Sequence, residues 1–406
     1  MKPACLIPWI SLWPTPDGNV FPCCASTNQI SNIGHLKESS LYEISQSEQM
    51  NSLRKKFMSG DLDSEVCASC IKREDIQGYS MRMMIDKNFS HLSNELVSQT
   101  KSSGEFKNFK LRFLDFVWSN KCNFKCSHCK PKFSSSLASD KSLNQFYNYS
   151  TNNLVDISQV STNTLPEVLS LIDEVELIHF NGGEPFIIDQ HFEILDHLIK
   201  LKKTDARLWF HTNGSNINYK KSKILYYLKK FPNCNISVSH DGFGKVGEFV
   251  RFGYDDSKFL KNFRELKKVC KYVYPSLCIH ALNIFHIPDL IDWYQNEGLI
   301  SDQLNPSINV VTAPDYINFN IHDNETKLLA REKFKKWYNH PGNKSNQYIK
   351  NKLNKIYESL SGDIGPGADK LNEYLAIKLE SFKQDPNIYL PELSNFFKKL
   401  RRKNEA

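Results

Sequence analysis

Three cysteines, Cys122, Cys126 and Cys129, lie within eight consecutive positions in the stretch KCNFKCSHCK. Thiolates at such short spacings are typical ligands of zinc and of iron–sulfur centres. A closed site of either kind takes four protein ligands, and disulfides use cysteines in pairs. Three thiols therefore predict a metal cluster with one open position, which could bind a substrate or a cofactor.

A second group of cysteines lies near the N-terminus, in a segment rich in turn-forming residues. The group consists of Cys5, Cys23, Cys24, Cys67 and Cys70. This composition predicts a small, loop-rich domain held together by metal over residues 1–80. Four thiolates satisfy either zinc or an iron–sulfur cluster, so both metals remain open at this point.

The elements that must position these cysteines follow from the periodicity of the apolar residues. Strands are expected at 110–118, 175–180, 206–212, 235–240, 276–285 and 307–313, with helices at 190–203, 221–231 and 257–273. Strands that alternate with helices in this way predict a parallel sheet with right-handed crossovers. The predicted fold class is α/β, a partial (β/α)6 TIM-like barrel with a small N-terminal cysteine-rich domain and a helical C-terminal extension.

Four unusual loops follow the first four predicted strands. The cysteine triplet comes after the first strand, NGGEP (181–185) after the second, TNG (212–214) after the third and HDGFG (240–244) after the fourth. Parallel α/β folds bind their ligands at the carboxyl ends of the strands. These loops therefore predict one binding site on that rim of the sheet.

Over about residues 106–315 these motifs resemble the radical S-adenosylmethionine (radical SAM) superfamily, through the C-x3-C-x2-C spacing, NGGEP and TNG. The resemblance implies that Cys122, Cys126 and Cys129 hold a 4Fe–4S cluster whose open iron chelates S-adenosylmethionine. One electron then cleaves a C–S bond, and the 5′-deoxyadenosyl radical abstracts hydrogen from a substrate. It also implies a reductant such as flavodoxin or ferredoxin as a partner.

The resemblance assigns further cofactor-binding roles residue by residue. His128 stands where the family usually has an aromatic residue near the adenine, and Gly182, Gly183 and Glu184 match the motif that contacts the methionyl ammonium. Ser239, Asp241 and Arg251 match positions that bind ribose and carboxylate, and Asn283, expected on the fifth strand, joins the same pocket. The resemblance singles out no catalytic residue beyond these.

The N-terminal pattern, Cys5 followed by Gly18, Cys23 and the CASC of residues 67–70, resembles the SPASM and twitch domains of radical SAM enzymes. Those domains usually follow the barrel, whereas this pattern precedes it. The resemblance implies one auxiliary 4Fe–4S cluster on Cys5, Cys23, Cys67 and Cys70, with Cys24 as the alternative to Cys23 and zinc as the alternative metal.

The domains are expected at 1–105, 106–318 and 319–406. With a net charge of +7 over 406 residues and no apolar run of the about 18–20 residues that a membrane helix needs, we expect a cytoplasmic enzyme without a membrane partner. A peptide or protein substrate is the leading expectation. Dehydrogenation or epimerisation of a small molecule stays open, as does RNA modification through the basic C-terminal tail, although no RNA-binding signature accompanies that tail.

Overall fold

The computed structural model describes residues 2–26, 29–149, 154–220, 222–343 and 345–405. Six strands form one sheet in which the spatial order follows the chain order. They are β1 (Phe113–Phe116), β2 (Leu177–Phe180), β3 (Arg207–Thr212), β4 (Cys234–Ser239), β5 (Tyr272–Ile279) and β6 (Ser307–Val310). The pairs β1–β2, β2–β3, β4–β5 and β5–β6 are parallel, which confirms the predicted α/β class.

The first two strands are buried along their whole length, as expected for strands covered on both faces. The helices beside the sheet are amphipathic. In Asp189–Lys200, for example, Phe192, Leu195 and Leu198 are buried on one face. Helix Asp256–Lys267 is capped at its N-terminus by Asp255, whose carboxylate accepts a hydrogen bond from the backbone N–H of Lys258.

The fifth strand corrects the sequence prediction. It runs over Tyr272–Ile279 instead of 276–285, because the alternation of buried and less buried residues begins at Tyr272. The preceding helix ends at Lys267, not at 273. Residues 280–283 form a turn, in which the side-chain oxygen of Asn283 accepts from the backbone N–H of His280 at 2.8 Å. Asn283 therefore lies beyond the fifth strand, not on it.

The chain divides into two compact units. The first comprises Met1–Lys121, Leu154–Phe210 and Tyr226–Cys234, and the second comprises Cys122–Asn153, His211–Leu225 and Asn235–Ala406. The predicted boundaries near 105 and 318 stay predictions.

The first unit contains a small antiparallel sheet and several helices. The sheet strands are Trp13–Pro14, Asn19–Phe21 and Gly34–His35. The helices are Ile7–Ile10, Leu41–Ser45, Glu48–Met58, Ala68–Gln77, Met81–Phe89, Ser93–Ser98, Ile157–Val160, Thr164–Leu171 and Asp189–Lys200. Residues 1–80 thus contain more helix than their turn-forming composition predicts.

The second unit contains the cysteine triplet and the C-terminal helices. Its two-residue strands Lys125–Cys126 and Arg251–Phe252 pair with each other, as do Asn218–Tyr219 and Ser222–Lys223. Its helices are Ser135–Ala138, Lys141–Phe146, Gly244–Val250, Asp256–Lys267, Ile287–Asn296, Asn324–Tyr338, Gln347–Ser359, Ala368–Glu380, Pro386–Tyr389 and Ser394–Glu405, and the short helix Ile224–Leu228 spans the unit boundary. This confirms the helical C-terminal extension. Within the described ranges no helix is both long and apolar enough to cross a membrane.

Candidate metal centres and cofactor site

The loop with the three cysteines is held by backbone pairing. Cys126 lies directly opposite Arg251 in the antiparallel pair of short strands. The N–H of Ser127 donates to the carbonyl of Val250 at 2.8 Å. At the other end of the loop, the hydroxyl of Ser136 donates to the carbonyl of Cys122 at 2.7 Å. The loop therefore has a defined conformation around its sulfur atoms.

The thiols of this loop lie in a low-dielectric environment. Cys126 is buried, and Cys122 and Cys129 are half-buried. Burial raises the pKa of Cys126, and burial together with the charge of Cys126 raises the pKa of Cys129 to about 12. A bound metal ion favours the thiolate form of such thiols, because metal binding releases the thiol proton. Three neighbouring cysteines with soft sulfur ligands suit an iron–sulfur cluster.

A buried ion pair adjoins the triplet. Arg251 Nε donates to Asp241 Oδ2 at 2.7 Å, and Arg251 Nη1 donates to Cys126 Sγ at 3.4 Å. The other carboxylate oxygen of Asp241 accepts from the backbone N–H of Cys278 at 2.8 Å. Burial alone would raise the pKa of Asp241, but Arg251 and His128 hold it at about 2. Asp241 is therefore an anion at neutral pH, and it fixes the guanidinium against the sulfur.

Two imidazoles lie on the other side of Asp241. His128 Nδ1 is 3.5 Å from Asp241 Oδ2, and the rings of His128 and His280 are 5.7 Å apart. Burial lowers the pKa of His128 to about 4 and that of His280 to about 3, so both are neutral at pH 7. Among the described residues, His128 Nδ1 and His280 Nε2 have no hydrogen-bond partner. These two nitrogens remain available to a polar ligand.

The remaining residues expected in this pocket have different roles. Asn283 donates to the carbonyls of Asp241 and Cys278 at 3.0 and 2.9 Å, so its amide serves as a backbone clamp. Ser239 is half-buried at the end of β4. The structure brings His128, Asp241, Arg251 and Asn283 together, and it adds His280, which the sequence placed inside a predicted strand.

The glycine-rich loop after β2 lies in the first unit, where it packs against the backbone that leads into the cysteine loop. The N–H groups of Gly183 and Glu184 donate to the carbonyls of Ser119 and Lys121 at 3.0 and 2.8 Å. A Cβ at Gly183 would lie only 2.1 Å from the Lys121 oxygen, so a side chain is excluded there. Glu184 is almost fully buried, and its carboxylate accepts from the N–H of Phe186 at 3.1 Å.

The N-terminal cysteines form a second cluster of thiols within the first unit. Burial and the neighbouring Cys67 and Cys70 raise the pKa of Cys5 to about 12. Burial raises the pKa of Cys23, with Cys5 as the next cause. Cys70 is buried and lies one helical turn after Cys67 on the helix that begins at Ala68. The charges of Cys5, Cys67 and Cys70 all act on Cys23, so these four thiols lie near one another.

The two candidate metals require different distances between their sulfur ligands. Four thiolates on one zinc, with Zn–S about 2.3 Å, lie about 3.8 Å apart. Within the described parts of the chain, no three cysteine sulfurs lie within 4.8 Å of one another. In a 4Fe–4S cluster each thiolate binds its own iron, so the sulfurs stand farther apart.

Cys24 has a different neighbour from Cys23. Burial and Asp115 together raise the pKa of Cys24, and its thiol is hydrogen-bonded to the Asp115 carboxyl group. Burial raises the pKa of Asp115 to about 6, and Asn181 also donates to this carboxylate. Cys24 therefore points towards β1, which favours Cys23 as the cluster ligand.

These two sets of buried and half-buried thiols on an α/β fold are typical of an iron–sulfur protein. Residues 116–294 match the family model of the radical SAM superfamily, and residues 5–71 match that of SPASM, an iron–sulfur cluster-binding domain. The chain therefore contains a radical SAM domain, with a SPASM-like domain ahead of it. Members of the superfamily are enzymes that need a reductant. The radical SAM domain implies S-adenosylmethionine and a 4Fe–4S cluster, and the SPASM domain implies further iron–sulfur centres, as predicted.

Named relatives are distant. The radical SAM cyclopropyl synthase TigE of Paramaledivibacter caminithermalis is 28% identical over 232 residues, which cover 54% of this chain and 46% of TigE. The structure of anSMEcpe with bound AdoMet has 18% identity and a TM-score of 0.40, and covers 60% of this chain and 65% of that one. Streptococcus suis SuiB bound to its precursor peptide SuiA has 14% identity and a TM-score of 0.33, with 85% and 70% covered. The chain thus spans less than half the length of TigE.

Proposed function

We propose that this protein reductively cleaves S-adenosylmethionine and uses the 5′-deoxyadenosyl radical to abstract hydrogen from a peptide or protein substrate. The observation that carries the proposal is the loop of three thiols, in which Cys126 is buried and accepts a hydrogen bond from the guanidinium of Arg251. A 4Fe–4S cluster bound there would supply the electron while one iron stays open for the cofactor.

The chain's own residues would then hold the cofactor. We assign the methionyl ammonium to the loop of Gly182, Gly183 and Glu184, because a buried carboxylate favours a cation. The neutral imidazoles of His128 and His280 offer unpartnered nitrogens to polar atoms of the nucleoside. Asp241 would affect cofactor binding indirectly, by orienting Arg251. Asn283 would also do so indirectly, by holding the backbone carbonyls of Asp241 and Cys278.

The N-terminal cluster would act on the substrate side of the reaction. Its four cysteines, Cys5, Cys23, Cys67 and Cys70, saturate a 4Fe–4S cluster, so no iron is left to chelate S-adenosylmethionine. Such a cluster remains suited to passing an electron or to shaping the substrate pocket.

Two considerations support a large substrate. Many enzymes with SPASM or twitch domains, which the N-terminal pattern resembles, modify peptides. The first unit also has an open cavity of about 600 Å³, whose walls comprise residues of 154–169 and 188–193. The second stretch directly follows the glycine-rich loop, so a bound side chain there would lie close to the predicted cofactor contacts of that loop.

The similarity to TigE favours a second, narrower candidate, which is ring closure to a cyclopropyl group on the substrate. Closing such a ring removes two hydrogens from the substrate. One would leave as an atom to the 5′-deoxyadenosyl radical, and the other as a proton whose electron an iron–sulfur cluster would accept. Ring closure would therefore appear as a product lighter by two hydrogen masses.

The proposal is tested on anaerobically reconstituted protein by electron paramagnetic resonance (EPR). Adding S-adenosylmethionine should change the signal of one reduced cluster and leave the other unchanged. Short peptides encoded beside the gene, with deuterium at aliphatic carbons, are the substrates to try. Transfer of deuterium into 5′-deoxyadenosine identifies a substrate, and a signal that never responds to the cofactor would disprove the proposal.

A further inference from the structure

Helix Ala368–Glu380 of the C-terminal region packs directly on the loop that carries the three cysteines. The hydroxyl of Tyr374 donates to the hydroxyl of Ser127 at 2.9 Å, and both residues are buried. Ser127 lies between Cys126 and His128. A residue 247 positions later in the chain therefore holds the middle of the cysteine loop.

Two more tyrosines extend this contact. Tyr147 Oη donates to the carbonyl of Cys129 at 3.1 Å, and it is 2.7 Å from Tyr316 Oη. Tyr316 also reaches the carbonyl of Ser127 at 3.4 Å. The ring of Tyr316 packs against that of Tyr374, with 5.8 Å between the centroids. The backbone of the loop is thus tied to tyrosine hydroxyls at two carbonyls.

One turn further along the same helix is a buried lysine. Lys378 is only 1% exposed, and its Nζ donates to the carbonyl of Phe249 at 2.8 Å. Its ammonium lies 4.7, 5.5 and 4.9 Å from the ring centroids of Phe249, Phe252 and Phe382. Phe249 lies two positions before Arg251, which pairs with Cys126. Lys378 therefore braces the partner strand of the cysteine loop.

Burying the lysine ammonium at this position costs folding free energy. Burial lowers the pKa of Lys378 to about 7, whereas the nearby charge of Cys126 raises it. One carbonyl and three aromatic faces compensate the ammonium only in part. A methionine would fill the same space without a desolvation penalty, so a role for the charge is the simpler explanation.

We propose that helix Ala368–Glu380 is a positioning element for the cluster-binding loop, in which Tyr374 holds the loop and Lys378 raises the reduction potential of its cluster. The inference rests on the proposed function, since it assumes a 4Fe–4S cluster on Cys122, Cys126 and Cys129. Reduction adds negative charge to the cluster, and a cation held in a low dielectric stabilises the reduced form.

The test is a potentiometric EPR titration of the cluster signal that responds to S-adenosylmethionine. Lys378→Met should lower the ratio of reduced to oxidised cluster at a fixed potential by about tenfold, or about 59 mV for a one-electron couple. Lys378→Arg, which keeps the charge, should restore the wild-type potential. Lys327→Met is the matched control, because Lys327 is also a buried lysine of the C-terminal region and donates to the carbonyls of Gly362 and Asp363 at 2.9 and 2.8 Å.

The outcomes separate the roles. A folded Lys378→Met protein with the wild-type reduction potential would overturn the inference. If Lys378→Met fails to bind this cluster while Lys327→Met still binds it, the result would support a positioning role for the helix. If Lys378→Met does not fold, Tyr374→Phe decides. It should broaden the cluster signal and hasten its loss in air, and an unchanged signal and lifetime would overturn the inference. If wild-type protein shows no responsive cluster, the proposed function itself has failed.

Discussion

The Asp241–Arg251 pair contributes stability with a definite pH dependence. The pKa of Asp241 is about 2 in the folded protein, against about 3.9 for an unfolded aspartate. The difference corresponds to a folding free energy on the order of 3 kcal/mol, and no discount for solvent applies because Asp241 is fully buried. The unfolded state binds the proton more tightly. This stability is therefore present above pH about 4 and is lost as the pH falls to about 2.

Replacing Arg251 with Met should reverse that dependence. The change leaves a buried carboxylate without its partner and should cost about 3–5 kcal/mol at pH 7. Without the guanidinium, burial would raise the pKa of Asp241 above the unfolded value. The stability of the variant should then fall as the pH rises above about 4, the opposite of the wild type in the acidic range.

The assay is urea unfolding of the cluster-free chain, followed by circular dichroism between pH 3 and 8, so that metal binding does not contribute. Asp241→Asn/Arg251→Met is the control, since it removes both charges and should lose less than the single Arg251 change. If the unfolding free energy of Arg251→Met stays within about 1 kcal/mol of the wild-type value from pH 3 to 8, the interpretation of Asp241 and Arg251 as a stabilising buried pair is refuted.

Three further predictions concern the other parts of the site. Gly183→Ala should weaken S-adenosylmethionine binding at least tenfold in a binding titration, because its Cβ would lie 2.1 Å from a backbone oxygen. Gly362→Ala is the control and should leave binding unchanged, because the nearest atom to its Cβ would be 3.3 Å away. Glu184→Gln should weaken binding by about 1.5–3 kcal/mol, the value of a charge-assisted contact, and a wild-type dissociation constant would contradict its assigned role. Replacing Cys67 and Cys70 with Ala should lower bound iron from about eight to about four per chain. The EPR signal that responds to the cofactor should persist in that variant, and its loss would argue against two independent clusters.

The chemistry of the site could be predicted from sequence wherever residue type and local spacing define it. Cys122, Cys126 and Cys129 lie at the short intervals that a shared cluster would require. Gly183 stands where the backbone oxygen of Lys121 leaves no room for a side chain. Strands were predicted where apolar periodicity is strong. The fifth strand was misplaced because the apolar residues of the turn after Ile279 continue the pattern, which also put Asn283 on the wrong element.

Contacts between residues far apart in sequence left no such signal. Tyr374 and Lys378 occupy ordinary positions on a helix, and only the folded chain places them beside the cysteine loop. His280 was hidden within a predicted strand. The separate directions of Cys23 and Cys24 likewise depend on Asp115, more than ninety positions away along the chain.

The central claim is that the three-thiol loop binds a cluster that cleaves S-adenosylmethionine. The most direct measurement is anaerobic incubation of the reconstituted protein with dithionite and S-adenosylmethionine, with 5′-deoxyadenosine quantified by mass spectrometry. The wild type should form 5′-deoxyadenosine, and Cys126→Ala, which retains the N-terminal cysteines, should form none above background. Formation of 5′-deoxyadenosine by Cys126→Ala at the wild-type rate would contradict the account.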